Sequence, residues 1–226
     1  MAKNIYLVGG SKGGVGKSTV TMATLDYLSY HGESVVLIET DTTNPDVAKA
    51  YKGTIPIELV NLDEADGWIH LVNIFDSAPE SAFVINTAAR NNQGVTAYGE
   101  TLNSTLADLQ RKLITLWVVN RQRDSLELLI EYMDAISNAQ VHVVRNSYFG
   151  DERKFELYNN SKTRKLIEDK GGRSLTFPEL ADRVMDDLYT RRLSIEIALK
   201  ELPLGNRAEL MRWRNEVKKA LDPVMG

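Results

Sequence analysis

The sequence predicts an α/β protein: a doubly wound, mainly parallel sheet with helices on both faces and a helical C-terminal segment. Three observations predict it. Short apolar, β-branched runs alternate with helical periodicity up to residue 177. A glycine-rich loop, Gly9-Gly10-Ser11-Lys12-Gly13-Gly14-Val15-Gly16-Lys17-Ser18-Thr19, joins the first apolar run to the first helical pattern. Beyond residue 177 the pattern stays helical to the end. No linker-like stretch divides the 226 residues, so one domain is expected over 1–226.

The first strand is expected at Ile5–Val8, and Ala23, Leu25, Tyr27 and Leu28 carry a helix over Lys17–Tyr30. A second strand follows at Val35–Glu39. Trp68, Leu71, Val72 and Phe75 recur at three- and four-residue intervals, so Asp66–Phe75 reads as a helix. Phe83–Asn86, Leu113–Val119, Val141–Asn146 and Ser174–Phe177 are the remaining strands. Helices are expected between them at Leu102–Lys112, Ser125–Ser137 and Thr163–Asp169. Asp124 with Glu127, and Asn206 with Glu209, have capping-box spacing and mark two helix starts. Parallel sheets of this kind bind ligands beyond the C-terminal strand ends, so the residues following each strand are the candidates for a site.

Composition narrows the choices. A formal net charge of −4 argues against a surface coated in basic residues for nucleic acid, leaving room for a local patch. The chain has no cysteine, which excludes a disulfide framework, a thiolate metal site and an iron–sulfur cluster. His31, His70 and His142 share no metal-ligand spacing and read as surface or packing residues. No apolar run reaches the length of a membrane span and no signal-peptide core precedes the first strand, so a cytoplasmic protein is expected.

The glycine loop carries the chemistry. Its glycines allow successive N–H groups to face phosphate oxygens, and the following helix adds the positive end of its dipole. Lys17 is placed to neutralise the β- and γ-phosphates, and the Ser18 hydroxyl to ligate Mg²⁺. Gly13, Gly14, Val15, Gly16 and Thr19 complete the nucleotide cradle. Ser11 stands where the usual pattern has its first glycine, and a second lysine, Lys12, follows it.

With that second lysine, the loop resembles the deviant Walker A motif of the ParA/MinD superfamily of P-loop ATPases. The resemblance is specific at the loop and extends over roughly residues 1–150. It implies an ATP-dependent homodimer in which Lys12 reaches the partner's nucleotide, with Mg²⁺ bound beside the phosphates. Glu39-Thr40-Asp41 then falls where relatives carry Asp-x-Asp, so Asp41, and by position Glu39, become candidates for serving the metal and the attacking water. The alternative for Asp41 is that it merely caps the Thr-Asn-Pro turn that follows it, and the loop upstream favours the functional role.

The third piece of such a site is an acid at the end of a strand. Asp76-Ser77-Ala78-Pro79 has a suitable composition, but the residues before it read as a helix. The better strand ends at Asn86, in Asn86-Thr87-Ala88-Ala89-Arg90, which resembles the family's Asp-Thr-Pro-Pro segment with an amide in place of the acid. Asn86 can hydrogen-bond a metal-bound water but brings no charge and takes no proton, so slow or partner-dependent hydrolysis is expected. Arg90 belongs either to a switch loop or to a solvated surface. The resemblance makes Asn146 a reader of the adenine edge and Pro178 a second contact to the base. Asn120-Arg121-Gln122-Arg123-Asp124 departs from the guanine-reading motif in spacing and lacks its lysine, which favours ATP over GTP.

The same resemblance implies a switch that positions or maintains DNA, in plasmid partition or conjugal transfer. Its partner would then be DNA or a DNA-bound protein. A low-turnover ATP-dependent adaptor and a dethiobiotin-synthetase-like ligase are the alternatives. Two basic surfaces are candidates for partners. One is the last helix, where Leu210, Trp213, Val217 and Leu221 share a face among Arg207, Arg212, Arg214, Lys218 and Lys219. This face would suit phosphates, a membrane, or simply the core. The other is Lys162-Thr163-Arg164-Lys165 with Lys170 and Arg173.

Overall fold

The computed structural model describes residues 2–10, 13–89 and 91–226. Lys12 and Arg90 therefore lie outside the described residues. Seven parallel strands form one sheet: β1 (Ile5–Gly10), β2 (Val35–Glu39), β3 (Ile57–Leu59), β4 (Ala82–Asn86), β5 (Leu113–Val119), β6 (Gln140–Asn146) and β7 (Ser174–Phe177). Their order across the sheet is β3-β2-β4-β1-β5-β6-β7. The chain leaves β1 toward one edge, returns with β4, and crosses to the other side at β5. The switch point therefore lies at β1, where the glycine loop begins.

The strands alternate faces with period two. Tyr6 and Val8 of β1 join Val84 of β4 and Leu116 and Val118 of β5 on one side of the sheet. Ile5, Leu7, Phe83, Ile85 and Trp117 point to the other. Both sides are covered, which is why the central strands read as continuous apolar runs. The first side is packed by α1 (Lys17–Tyr30), α2 (Asp46–Tyr51), α9 (Asp182–Thr190), α10 (Ile195–Glu201) and α11 (Leu204–Met225). The second is covered by α3 (Ala65–Ser77), α4 (Asn92–Tyr98), α5 (Glu100–Thr105), α6 (Asp124–Ala135), α7 (Glu156–Asn159) and α8 (Lys162–Asp169).

Three expectations are corrected. The helix expected over Leu102–Lys112 ends at Thr105, and the chain then turns through Gln110, whose φ of 54° is incompatible with a continuing helix. Strand β1 runs on to Gly10, because Gly9 and Gly10 pair with Trp117 and Val118 of β5. A methyl group at Gly9 would strike the Trp117 ring at 2.8 Å, so the bare backbone is needed there. The last helix starts at Leu204 behind Pro203, not at Asn206. Pro203 stands just before the helix and replaces the expected polar cap, while the Asn206 amide donates to Asp187 of α9 at 2.6 Å.

The apolar stripe of α11 is used up in the core. Leu210, Trp213, Val217 and Leu221 are all buried on the α1 side of the sheet. Arg214 forms a two-pronged ion pair with buried Asp26 of α1, and Arg212 pairs with Glu209 and Glu216 of its own helix. Among the described residues no helix is long and apolar enough to cross a membrane. At the opposite end of the sheet, Arg111 lies buried against the Phe83 ring and donates to four carbonyls, those of Lys3, Phe75, Ala78 and Ser81. It ties the starts of β1 and β4 to the end of α3.

Candidate nucleotide site

Beyond Gly10 the loop runs into α1 with Gly14 at φ 79° and Gly16 at φ 102°, left-handed conformations that favour glycine. Gly16 directly precedes α1, and its carbonyl accepts the Val20 N–H at 3.0 Å. A side chain at Gly16 would run into the Asn146 amide, which donates to the Val15 carbonyl at 2.9 Å. The end of β6 thus clamps the loop. Gly13 and Gly14 are exposed, and a Cβ on either would meet nothing, so they present open backbone.

The loop forms one wall of a cavity of about 370 Å³ at the C-terminal strand ends. Gly13, Gly14, Gly16, Lys17, Ser18 and Thr19 face Asp41 from the β2 end and Asn86 and Thr87 from the β4 end. Asn146, Tyr148, Phe177 and Pro178 form the far wall. Val15 is buried beneath the loop and supplies its carbonyl to the clamp. Trp213 of α11 holds the far wall in place by donating to the Pro178 carbonyl at 2.9 Å, with its ring edge-on to Phe177.

Charge in the cavity is uneven. Among the described residues that line it, Lys17 is the only cation, whereas Asp41, Asp46, Glu179 and Asp182 are acidic. Lys17 is buried, and burial lowers its ammonium to about 8, with Asp41 opposing the shift. A phosphate arriving here would further favour the charged form of Lys17 and would enter best with a cation to offset the acidic rim. Ser18 and Asp41 offer oxygens suited to Mg²⁺, the remaining ligands being phosphate and water. Among the described residues no group of three or more His, Cys, Asp or Glu side chains converges on a metal. Asp41 also makes the turn its sequence suggested, since its carboxylate accepts from the Thr43 and Asn44 N–H groups at 3.2 and 3.0 Å.

Asn86 is held on both sides of its amide. Its Oδ1 accepts from Thr21 at 2.9 Å, and its Nδ2 donates to both carboxylate oxygens of Glu39, at 2.9 and 3.1 Å. Glu39 and Asn86 are partners in the β2–β4 register, so the contact follows directly from the sheet. Glu39 is fully buried and pushed up to about 7 by burial, with the Asp41 N–H and the Asn86 amide pulling the other way. It does not line the cavity; it stands behind the amide that does. Asp76 lies in α3, away from this site, as its helical setting implied.

Sequence reading missed several parts of the site. The Asn91 side chain accepts from the Thr40 hydroxyl at 2.6 Å and the Ala88 N–H at 2.8 Å, and donates to Asp63 at 2.9 Å. It thereby joins the ends of β2 and β4 to the segment before α3. From α9, Tyr189 lies 3.1 Å from the Thr19 hydroxyl and covers the start of α1. Tyr189 carried no signal, because the C-terminal region read only as generic helix.

A family model for the CobQ/CobB/MinD/ParA nucleotide binding domain matches residues 6–149, the segment that contains the loop, Asp41, Asn86 and Asn146. The chain belongs to this family. It is 72% identical over 225 residues to Protein MobD of Acidithiobacillus ferrooxidans, covering 100% of this chain and 99% of that protein. Among solved structures it resembles the septum site-determining protein MinD of Pyrococcus horikoshii OT3, complexed with Mg-ADP. That match has a TM-score of 0.59 and 15% identity, and covers 99% of this chain and 98% of the other. The MinD cell division protein of Aquifex aeolicus gives a TM-score of 0.55 at 14% identity, with 97% of each chain covered. At such identities the likeness shows a shared fold.

Proposed function

We propose that this protein is an ATP- and Mg²⁺-binding dimeric switch with slow hydrolysis. The observation that carries this reading is one cavity in which Lys17, Ser18 and Asp41 converge on the open backbone of Gly13 and Gly14. Gly13 to Thr19 would cradle the phosphates, Ser18 and Asp41 would hold the metal, and Asn146 and Pro178 would face the base. Bound Mg²⁺ would supply the Lewis acid that offsets charge on the γ-phosphate. Lys17 neutralises, Asp41 orients water, and Asn86 offers only a neutral amide where an acid would take or hold a proton. Low turnover follows from that amide.

The family resemblance assigns Lys12 to the partner's nucleotide, and hence a homodimer that forms with ATP. It also suggests a role in positioning or maintaining DNA, and the name of the MobD relative fits conjugal transfer better than partition. A low-turnover adaptor that acts by binding its partner in the ATP state is the second reading, favoured by the engaged amide of Asn86. Light scattering with and without ATP and DNA tests the switch. The wild type should dimerise with ATP, and Lys12→Ala should bind ATP as a monomer. Normal ATP-dependent dimerisation of that variant would remove Lys12 from the interface. Wild-type function in cells with Asp41→Ala would favour the adaptor.

A further inference from the structure

The basic run around residues 162–173 leads to a second site, at the β7 edge of the sheet, where Pro223 near the end of α11 also borders it. Four arginines from four places in the chain meet in an open groove of about 560 Å³ along the β6–β7 edge: Arg145, Arg153, Arg164 and Arg173. Arg145 is the penultimate residue of β6, Arg173 precedes β7, Arg164 lies on α8, and Arg153 lies on the turn between β6 and α7.

Arg145 sets the character of the groove. Only 9% of its side chain is exposed, and its Nε is buried without a hydrogen-bond partner. Its guanidinium carries five N–H donors. Three bonds are made, to Asn159 at 3.1 Å, Glu152 at 3.2 Å and Thr176 at 3.1 Å. The carboxylate it pairs with, Glu152, is 62% exposed. A buried guanidinium normally carries a buried, well-shaped counter-charge, because desolvation is otherwise uncompensated. Here the counter-charge is loose and on the water side. Arg164 pairs with Glu168 at 2.8 Å and Arg153 with Asp151 at 3.3 Å, both on the surface. Surface pairs of this kind exchange readily for a better anion. Four arginines against Glu152, Glu168 and Asp151 leave one positive charge over.

We infer that this groove binds a phosphoryl group, with Arg145 as its fixed base and Arg153, Arg164 and Arg173 as its movable arms. Arginine forks match phosphate oxygens in pairs, and the Asn160 and Ser174 side chains at the groove supply neutral donors. The phosphoryl group comes either as a small anion or on a nucleic-acid backbone. This assignment does not depend on the nucleotide site.

The test uses the full chain carrying Lys17→Ala, which removes the lysine of the glycine loop and so keeps it from reporting phosphate. Calorimetric titration is run with inorganic phosphate and, separately, with a short duplex DNA at low salt. Variants Arg153→Ala and Arg173→Ala, both at exposed positions, are compared with the parent. Binding weakened roughly tenfold by the double variant supports the site, since a lost charge-assisted fork is worth about that factor or more. A response to phosphate identifies a small anion, and a response to DNA alone identifies the polymer. Arg145→Lys, which keeps charge but not the fork, should weaken either one while circular dichroism stays unchanged. No binding of either probe, or binding indifferent to both arginine changes, overturns the assignment.

Discussion

Replacing Glu39 with Gln should change the pH dependence of stability in a predictable direction. Glu39 is fully buried, and its carboxyl is held at about 7 against an ordinary value of 4.5. The folded protein therefore binds this proton more tightly than the unfolded chain does. The contribution of Glu39 is complete below about 4.5 and is lost as pH rises through about 7. At about 1.4 kcal/mol for each tenfold change in proton affinity, the gap corresponds to roughly 3 kcal/mol lost between pH 4.5 and 8. Gln fills nearly the same volume and does not titrate. Urea denaturation of wild type and Glu39→Gln at pH 5, 6, 7 and 8 isolates the effect, because every other group is common to both. The variant should gain on the wild type steadily with pH, by about 2–3 kcal/mol over that range. How well Gln accepts from Asp41 and Asn86 shifts the whole difference but not its slope. Stability curves that run parallel across the range would refute the enclosed carboxyl.

Other perturbations address the loop, the clamp and the far end of the sheet. Lys17→Met should raise stability without nucleotide by about 1–3 kcal/mol at pH 7. The reason is that a buried ammonium lowered to about 8 weighs against folding wherever it is charged, a penalty that fades as pH rises from about 8 to 10.5. The same variant should lose any rise in Tm on adding Mg-ATP, as read by thermal denaturation. Gly16→Ala should weaken binding of a fluorescent ATP analogue at least tenfold with an unchanged circular dichroism spectrum, because a side chain at φ 102° displaces the Asn146 amide. Arg111→Ala should cost about 2–4 kcal/mol in urea denaturation, since it leaves four carbonyls without their shared donor.

The parts of the fold legible in the sequence are those where a single local rule operates. Strands β2, β5 and β7 begin and end where their apolar runs do, and α1 spans the periodic segment after the loop. Strand β3 escaped because three residues at a sheet edge, two of them exposed, leave no pattern to read. The helix expected over Leu102–Lys112 failed because period alone does not report the left-handed turn at Gln110. The loop side of the site was equally legible, since its glycines, lysine and serine are contiguous. The partners of that loop come from distant elements. Nothing near Tyr189 or Asn91 announces that it faces Thr19 or Thr40, and Arg111 reads as an ordinary surface cation until the sheet brings four carbonyls around it.

The substitutions at positions 39 and 86 are best understood together. Sheet register sets the two side chains against each other in the interior, where like charges at hydrogen-bonding distance would hold one carboxyl protonated. An acid at one position therefore favours a neutral donor at the other, and the Asn86 Nδ2 satisfies both oxygens of Glu39. The arrangement leaves an acid beside the site but behind the amide, enclosed and out of reach of a metal or water in the cavity. Meanwhile, among the described residues, the rim gathers Asp41, Asp46, Glu179 and Asp182 around Lys17, which would tie entry of a phosphate to a cation. The rim carboxylates thus stay open to a metal, whereas the one at the strand end is withdrawn behind the amide. On the proposed reading, a site built this way would hold a nucleotide more readily than cleave it, which is what a switch that must persist in its bound state requires.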